Sequence, residues 1–435
     1  MIKKFLTLFL AAAFQISAQT PAPSTAELAL VGRAKSIHDR VLKIDTHNDI
    51  DPDHFTAECN YTMRLTTQVN LPKIAEGDMD ASFFIVYVGQ GPLTDAGYDN
   101  AYRQAIAKFD AIHRLTEKIA PDRIRLALTP ADVVDLHNKG LRIAVIGVEN
   151  GYAVGNDIKR VRQFYERGAR YMSLAHNGNN QLADSNTGEV DGYLHDNGLS
   201  PLGREVIAEM NRLGMMVDLS HPSKGANLEA IRLSKAPVIA SHSSMRALNN
   251  HRRNMDDEQL LALKKNGGVV QVVALGTYLK ADPPERTSAV AKLREEFRGS
   301  SAAVKCPVED PRNPLPPPSG NTIVDTLPRD RRLEYDKRLA EIDARWPASR
   351  ATVKDFVDHI DYAVKLIGVD HVGIASDFDG GGGVLGWNSA AEAFNVTLEL
   401  VRRGYSEQQI AKLWAGNLLR VWREVEKVAQ SLQKK

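Results

Sequence analysis

Strand-like apolar runs alternate with helix-like segments along almost the whole chain, eight times over, and that alternation leaves few folds open. The runs occupy 41–47, 81–88, 141–149, 169–176, 214–221, 237–243, 267–275 and 371–379. They are continuous and rich in Val, Ile and Ala, as parallel strands buried on both faces are. Segments with a polar face lie between most of them, at 99–119, 157–167, 201–213, 224–233, 256–265 and 352–367. Ser200 followed by Pro201 marks one start as an N-cap with proline in the first turn. Two more helical segments, roughly 388–402 and 406–427, follow the last run and would close the fold. The expected class is α/β, a TIM (β/α)8 barrel, and 435 residues suit one barrel of the larger kind. Residues 280–350 break the rhythm with a Pro-rich loop and a charged amphipathic helix, RDRRLEYDKRLAEIDARW. They read as an insertion between strands seven and eight.

The first residues, MIKKFLTLFLAAAFQISA, combine a short basic start, a short apolar run and small residues at Ser17 and Ala18. The reading is a cleaved signal peptide over 1–18 and export to a periplasm or the outside, with 19–435 as a single barrel domain. No other stretch is long and apolar enough to span a bilayer, and the ending KVAQSLQKK lacks a lipid-anchor tail, so no stable membrane anchor is expected. Net charge is +1 with both signs dispersed, which argues against nucleic acid as a partner. Cys59 and Cys306 form no metal motif; export permits a disulfide between them, and their spacing leaves it open.

In such a barrel the C-terminal strand ends build the active site. Those ends carry His47 and Asp49, then Glu149, His176, His221 and His242, and finally Asp377 and Asp379. The chain has only 12 histidines, so four at strand ends with carboxylates beside them point to a shared task. His47 and Asp49 are two residues apart, which in an extended segment aims both the same way. Imidazoles and carboxylates suit zinc and other divalent first-row ions, and a glutamate can bridge two of them. Two such ions can share a water made nucleophilic near neutral pH. The glycines 380–383 are not followed by the Lys-Ser/Thr of a phosphate loop and read as a flexible pocket mouth. Ser243 and Ser244 sit in no nucleophile elbow. Arg252 and Arg253 are either solvated or a fork for a substrate carboxylate.

With these motifs in order, IDTHND, GVENG, LAHN, DLSH, SHSS, RRN and SDFDG, the sequence resembles the membrane (renal) dipeptidase family of binuclear zinc metallopeptidases. The resemblance covers about 35 to 425, apart from the insertion. It implies a TIM barrel with two Zn2+ held by His47, Asp49, the bridging Glu149, His221 and His242. It implies that Asp377 holds the attacking water and handles the proton, and that His176 polarises the scissile carbonyl. Arg253 would bind the substrate's terminal carboxylate, with Tyr278 of GTYL beside it. The implied substrates are small dipeptides, including those with a C-terminal D-residue, and the suggested assembly is a homodimer. IDPDHF after the first motif and the long insertion depart from the family pattern near the pocket mouth and bear on substrate preference. Another barrel amidohydrolase, acting on an N-acyl amino acid, lactone or phosphotriester, is the alternative; many of those place a lysine where Glu149 stands. A non-catalytic metal-binding protein would not need Asp377 and His176.

Overall fold

Nine parallel strands make one sheet in the computed structural model, which describes residues 24–298, 306–310, 312, 324 and 327–434. The signal peptide expected at 1–18 lies outside the described residues. The strands are β1 (Ile44–Asp49), β2 (Ala81–Tyr87), β3 (Ile124–Leu126), β4 (Arg142–Glu149), β5 (Ala169–Ser173), β6 (Met216–Asp218), β7 (Ile239–Ser243), β8 (Val269–Val273) and β9 (Val372–Ala375). Eight of them follow one another as β1-β2-β4-β5-β6-β7-β8-β9. Just past β9 the circle is drawn together: the Asp49 amide donates to the Phe378 carbonyl at 2.9 Å and the Asp377 amide to the His47 carbonyl at 3.1 Å. The fold is therefore a nearly closed parallel barrel with helices between its strands.

All eight expected runs form strands, and β3 is additional. It pairs with Arg142–Ala144, while β5 pairs with Ile146–Val148, so the two short strands share one edge of β4. Several strands stop short of the runs that foretold them. The run 371–379 gives only Val372–Ala375, because Asp377 and Asp379 adopt φ of 60°, which a ladder cannot hold. The run 214–221 likewise ends its strand at Asp218, and His221 turns away with φ 83°.

Alternation along the strands divides the core. Ile44, Phe83, Val145, Tyr171, Met216, Ile239 and Val269 gather in one cluster with Trp422 of the helix Asn417–Gln433. Phe84, Val148, Met172, Val217, Val272 and Ile374 face the surrounding helices in another. Ser200 caps the helix Pro201–Leu213 as expected, accepting from the Gly203 amide at 3.0 Å.

Among the described residues of the 280–350 insertion there are two helices, Pro284–Phe297 and Arg329–Arg345, where the sequence reading anticipated one. Leu293, Phe297, Val324, Leu327 and Tyr335 form a small core of their own. The first helix, PERTSAVAKLREEF, carries too many charges for its three buried residues to stand out as a period. The insertion docks on the loop after β1. Cys59 and Cys306 form a disulfide with Cα atoms 5.5 Å apart, and Lys73 pairs with Glu309 at 2.7 Å.

Candidate metal centre

The strand ends converge. Glu149, at the end of β4, is the hub: its Oε2 lies 3.6 Å from His47 Nε2, and its Oε1 lies 2.9 Å from His221 Nε2 and 3.4 Å from His242 Nε2. His47 Nε2 is also 3.7 Å from an Asp49 oxygen and 3.9 Å from Asp377 Oδ1. His176 Nε2 stands 3.9 Å from Glu149 Oε1, with its ring 3.9 Å from that of His221. Three overlapping sets have ligand atoms within 4.8 Å of one another: His47, Glu149 and His242; Glu149, His176 and His221; His47, Asp49 and Asp377.

This donor set fits cations. His47 Nε2 is buried without a hydrogen-bond partner, and the Nε2 atoms of His221 and His242 face each other at 3.1 Å. Buried polar atoms rarely go unpaired, and here they point at common centres. One carboxylate offering one oxygen to each of two histidine sides is the geometry of a bridging ligand. The ligands are nitrogen and oxygen only, which suits zinc or a neighbouring divalent ion.

The ring orientations are set from behind. The Tyr171 hydroxyl donates to the Thr46 carbonyl at 3.0 Å, so it must accept from His47 Nδ1 at 2.9 Å. In the neutral ring the proton is thereby placed on Nδ1, which leaves the lone pair of Nε2 for the centre. Ser241 does the same for His242: its hydroxyl donates to Asp218 Oδ2 at 2.7 Å and accepts from His242 Nδ1 at 2.8 Å. Such outer partners fix the tautomer and raise ligand basicity. Tyr171 can cross the barrel only because residue 147 is glycine; a Cβ there would lie 2.2 Å from the tyrosine ring.

Burial sets the electrostatics. It drives Asp377 well above the usual carboxylate range, and with the Glu149 charge it lifts Asp49 to about 6. Burial would lower His47, yet Glu149, Asp49 and Asp377 hold it up at about 9. Burial would raise Glu149, but His47, His176 and His221 keep it well below the ordinary value. Burial pushes His176 down to about 4 and His221 and His242 well below the usual range, so these three are neutral near pH 7.

Above the centre opens a cavity of about 680 Å³, with Tyr87, His176, Tyr278, Asp377 and Lys108 in its walls and Arg298 of the insertion also lining it. The Arg253 guanidinium lies 5.3 Å from the Tyr278 ring and donates to the His242 carbonyl at 3.3 Å, while its buried Nε has no partner. The strand-end carboxylate that does not join the centre is Asp379, which accepts from the amides of Gln68 and Val69 at 2.8 and 3.2 Å. The first of the glycines after it marks a close approach. A Cβ on Gly380 would lie 2.1 Å from an Asp49 oxygen and 2.5 Å from one of Asp377, so the bare backbone is what lets these carboxylates approach.

A family model described as Membrane dipeptidase (Peptidase family M19) matches residues 31–435. The chain belongs to this family. Membership, with a donor set fit for metal, makes it a metal-dependent dipeptidase. Dipeptidase tcpJ of Claviceps purpurea is 32% identical over 85% of this chain and 72% of its own. Dipeptidase aclJ of Aspergillus oryzae is 30% identical over 98% of this chain and 89% of its own. The crystal structure of the probable dipeptidase PvdM from Pseudomonas aeruginosa superposes with a TM-score of 0.75 at 32% identity, covering 92% of this chain and all of that one. The dipeptidase also holds site residues that strand ends did not foretell. Tyr171 and Ser241 sit within β5 and β7, Lys108 in the helix Asp95–Arg114, and Arg298 just after an insertion helix.

Proposed function

We propose that the protein is an exported dipeptidase with two zinc ions, cleaving the peptide bond of dipeptides, those with a C-terminal D-residue among them. The observation that carries the reading is Glu149, which presents one oxygen to His47 and the other to His221 and His242. Two divalent ions held by His47, Asp49, Glu149, His221 and His242 would supply a Lewis acid toward the scissile carbonyl and acidify a water near neutral pH.

The chain's own residues do the rest. Asp377, as a carboxylate whose proton affinity burial raises, accepts the proton of the attacking water and returns it to the departing amine. His176 is neutral near pH 7, so it donates an N–H to the carbonyl oxygen as negative charge develops there, a role that contributes roughly 3 kcal/mol per donor. Arg253, with an unpartnered Nε and Tyr278 beneath its guanidinium, receives the substrate's terminal carboxylate. A longer peptide has no carboxylate at that distance. A metallopeptidase from Rhodobacter sphaeroides, with a TM-score of 0.65 and 20% identity, was crystallised with a phosphinate mimic of the dipeptide L-Ala-D-Ala. That supports the inclusion of D-residues. The basic and apolar start of the chain, residues 1–18, supports export.

The test is a panel of L-L and L-D dipeptides, tripeptides, N-acetyl amino acids, a lactone and a phosphotriester, before chelation, after it and after zinc is restored. Zinc-restored cleavage confined to dipeptides is expected. Cleavage of the lactone or phosphotriester alone would refute the reading.

A further inference from the structure

Lys108 is out of place in its own helix. It falls in line with Ala101, Ala105 and Ile112, at spacings of four, three and four residues, and those three are at most 1% exposed. A lysine in a buried apolar stripe costs stability unless its head group is used. Among the described residues its ammonium makes no hydrogen bond and no ion pair. It reaches the wall of the cavity instead, 5.5 Å from the centre of the Tyr87 ring. Tyr87 in turn lies 4.6 Å from the His176 ring, so the ammonium and the group assigned to the scissile carbonyl both neighbour this one ring.

Its place around the barrel fixes which part of a substrate it meets. Tyr87 ends β2, second in the circle, whereas Arg253 follows β7, the sixth, directly across the mouth. A dipeptide whose carboxylate lies at Arg253 and whose carbonyl lies at His176 projects its N-terminal residue toward Lys108. Asp49 and Glu149, whose charges Lys108 feels, are committed to the metal centre, and only Asp51 remains among the acids acting on it. We infer that Lys108 is a specificity residue that receives a carboxylate on the side chain of the N-terminal substrate residue, making aspartyl and glutamyl dipeptides the preferred class. This inference rests on the dipeptidase reading of the same site.

The test compares Glu-Ala with Gln-Ala and Asp-Ala with Asn-Ala on zinc-loaded enzyme, pairs that differ in charge and hardly in shape. The wild type is expected to favour the acid in each pair by about tenfold or more in kcat/KM, through KM, with the ratio falling as salt rises. In Lys108→Gln the ratio collapses toward one, and in Lys108→Arg it is largely kept, with metal content measured for each. Indifference of the wild type, or an equal loss on acid and amide substrates in Lys108→Gln, would overturn the inference while leaving the dipeptidase reading intact. Failure to cleave any dipeptide would overturn both.

Discussion

Replacing Tyr171 with Phe isolates how the centre is held. The phenol oxygen accepts from His47 Nδ1 at 2.9 Å and donates to the Thr46 carbonyl at 3.0 Å, both buried. The ring itself stacks on Phe83 at 5.3 Å and fills the space over Gly147, and phenylalanine keeps both contacts. What is lost is the anchor of one metal ligand, with two buried hydrogen bonds. Removing such an outer partner weakens metal affinity by about 10–100-fold, or roughly 1.4–2.7 kcal/mol. The metal-free fold loses about 1–3 kcal/mol, because the imidazole N–H is left unsatisfied. Titrating the apoprotein with zinc against a chromophoric chelator measures the first quantity, and thermal melting without metal the second. A variant with lowered melting but unchanged zinc affinity would refute the argument, reducing Tyr171 to a packing residue.

Other consequences are testable in the same way. Asp377→Asn should retain its metal and lose at least about 100-fold in kcat, since the proton carrier is gone; unchanged turnover would remove Asp377 from the mechanism. His47 is held at about 9 in the metal-free chain, above its unfolded value, so it is protonated at neutral pH and must shed that proton to become a ligand. Calorimetry of zinc binding near pH 7.5 in buffers of different ionisation enthalpy should register about one proton released from this residue, and no release would contradict the assignment. His359 is pushed down to about 4 by burial while donating to the Leu279 carbonyl and accepting from the Met245 amide. The unfolded chain therefore takes up the extra proton, and His359 makes the native state lose stability as pH falls from about 6.5 toward 4. His359→Gln should flatten melting temperature against pH in that window, whereas an unchanged slope would assign the loss elsewhere.

The barrel and the centre were legible in the sequence for the same reason. Parallel strands buried on both faces read as unbroken apolar runs, and polar residues at their C-terminal ends, such as His47 in IDTHND or His242 in SHSS, stand out against them. The signal fails where the residue in question breaks no local rule. Tyr171 and Ser241 lie inside strands, where an aromatic or a small residue is ordinary, and only the fold shows their hydroxyls meeting His47 and His242. Lys108 looked like part of the polar face of a surface helix, although its register with Ala101, Ala105 and Ile112 was a readable clue. Asp379 shares a motif with Asp377, yet the backbone amides of Gln68 and Val69 claim its carboxylate, a contact across more than 300 residues of sequence. The glycines 380–383 invite a reading of flexibility; the close approach that Gly380 permits appears only when the Asp49 and Asp377 oxygens are seen against it.

The central claim is that Glu149 joins two metal sites, one on the His47 and Asp49 side and one on the His221 and His242 side. Anomalous diffraction at the zinc edge from crystals of the zinc-loaded protein tests it most directly. Two peaks about 3.5–4 Å apart, flanking the Glu149 carboxylate, are expected. A single peak, or two peaks without Glu149 between them, would contradict the account.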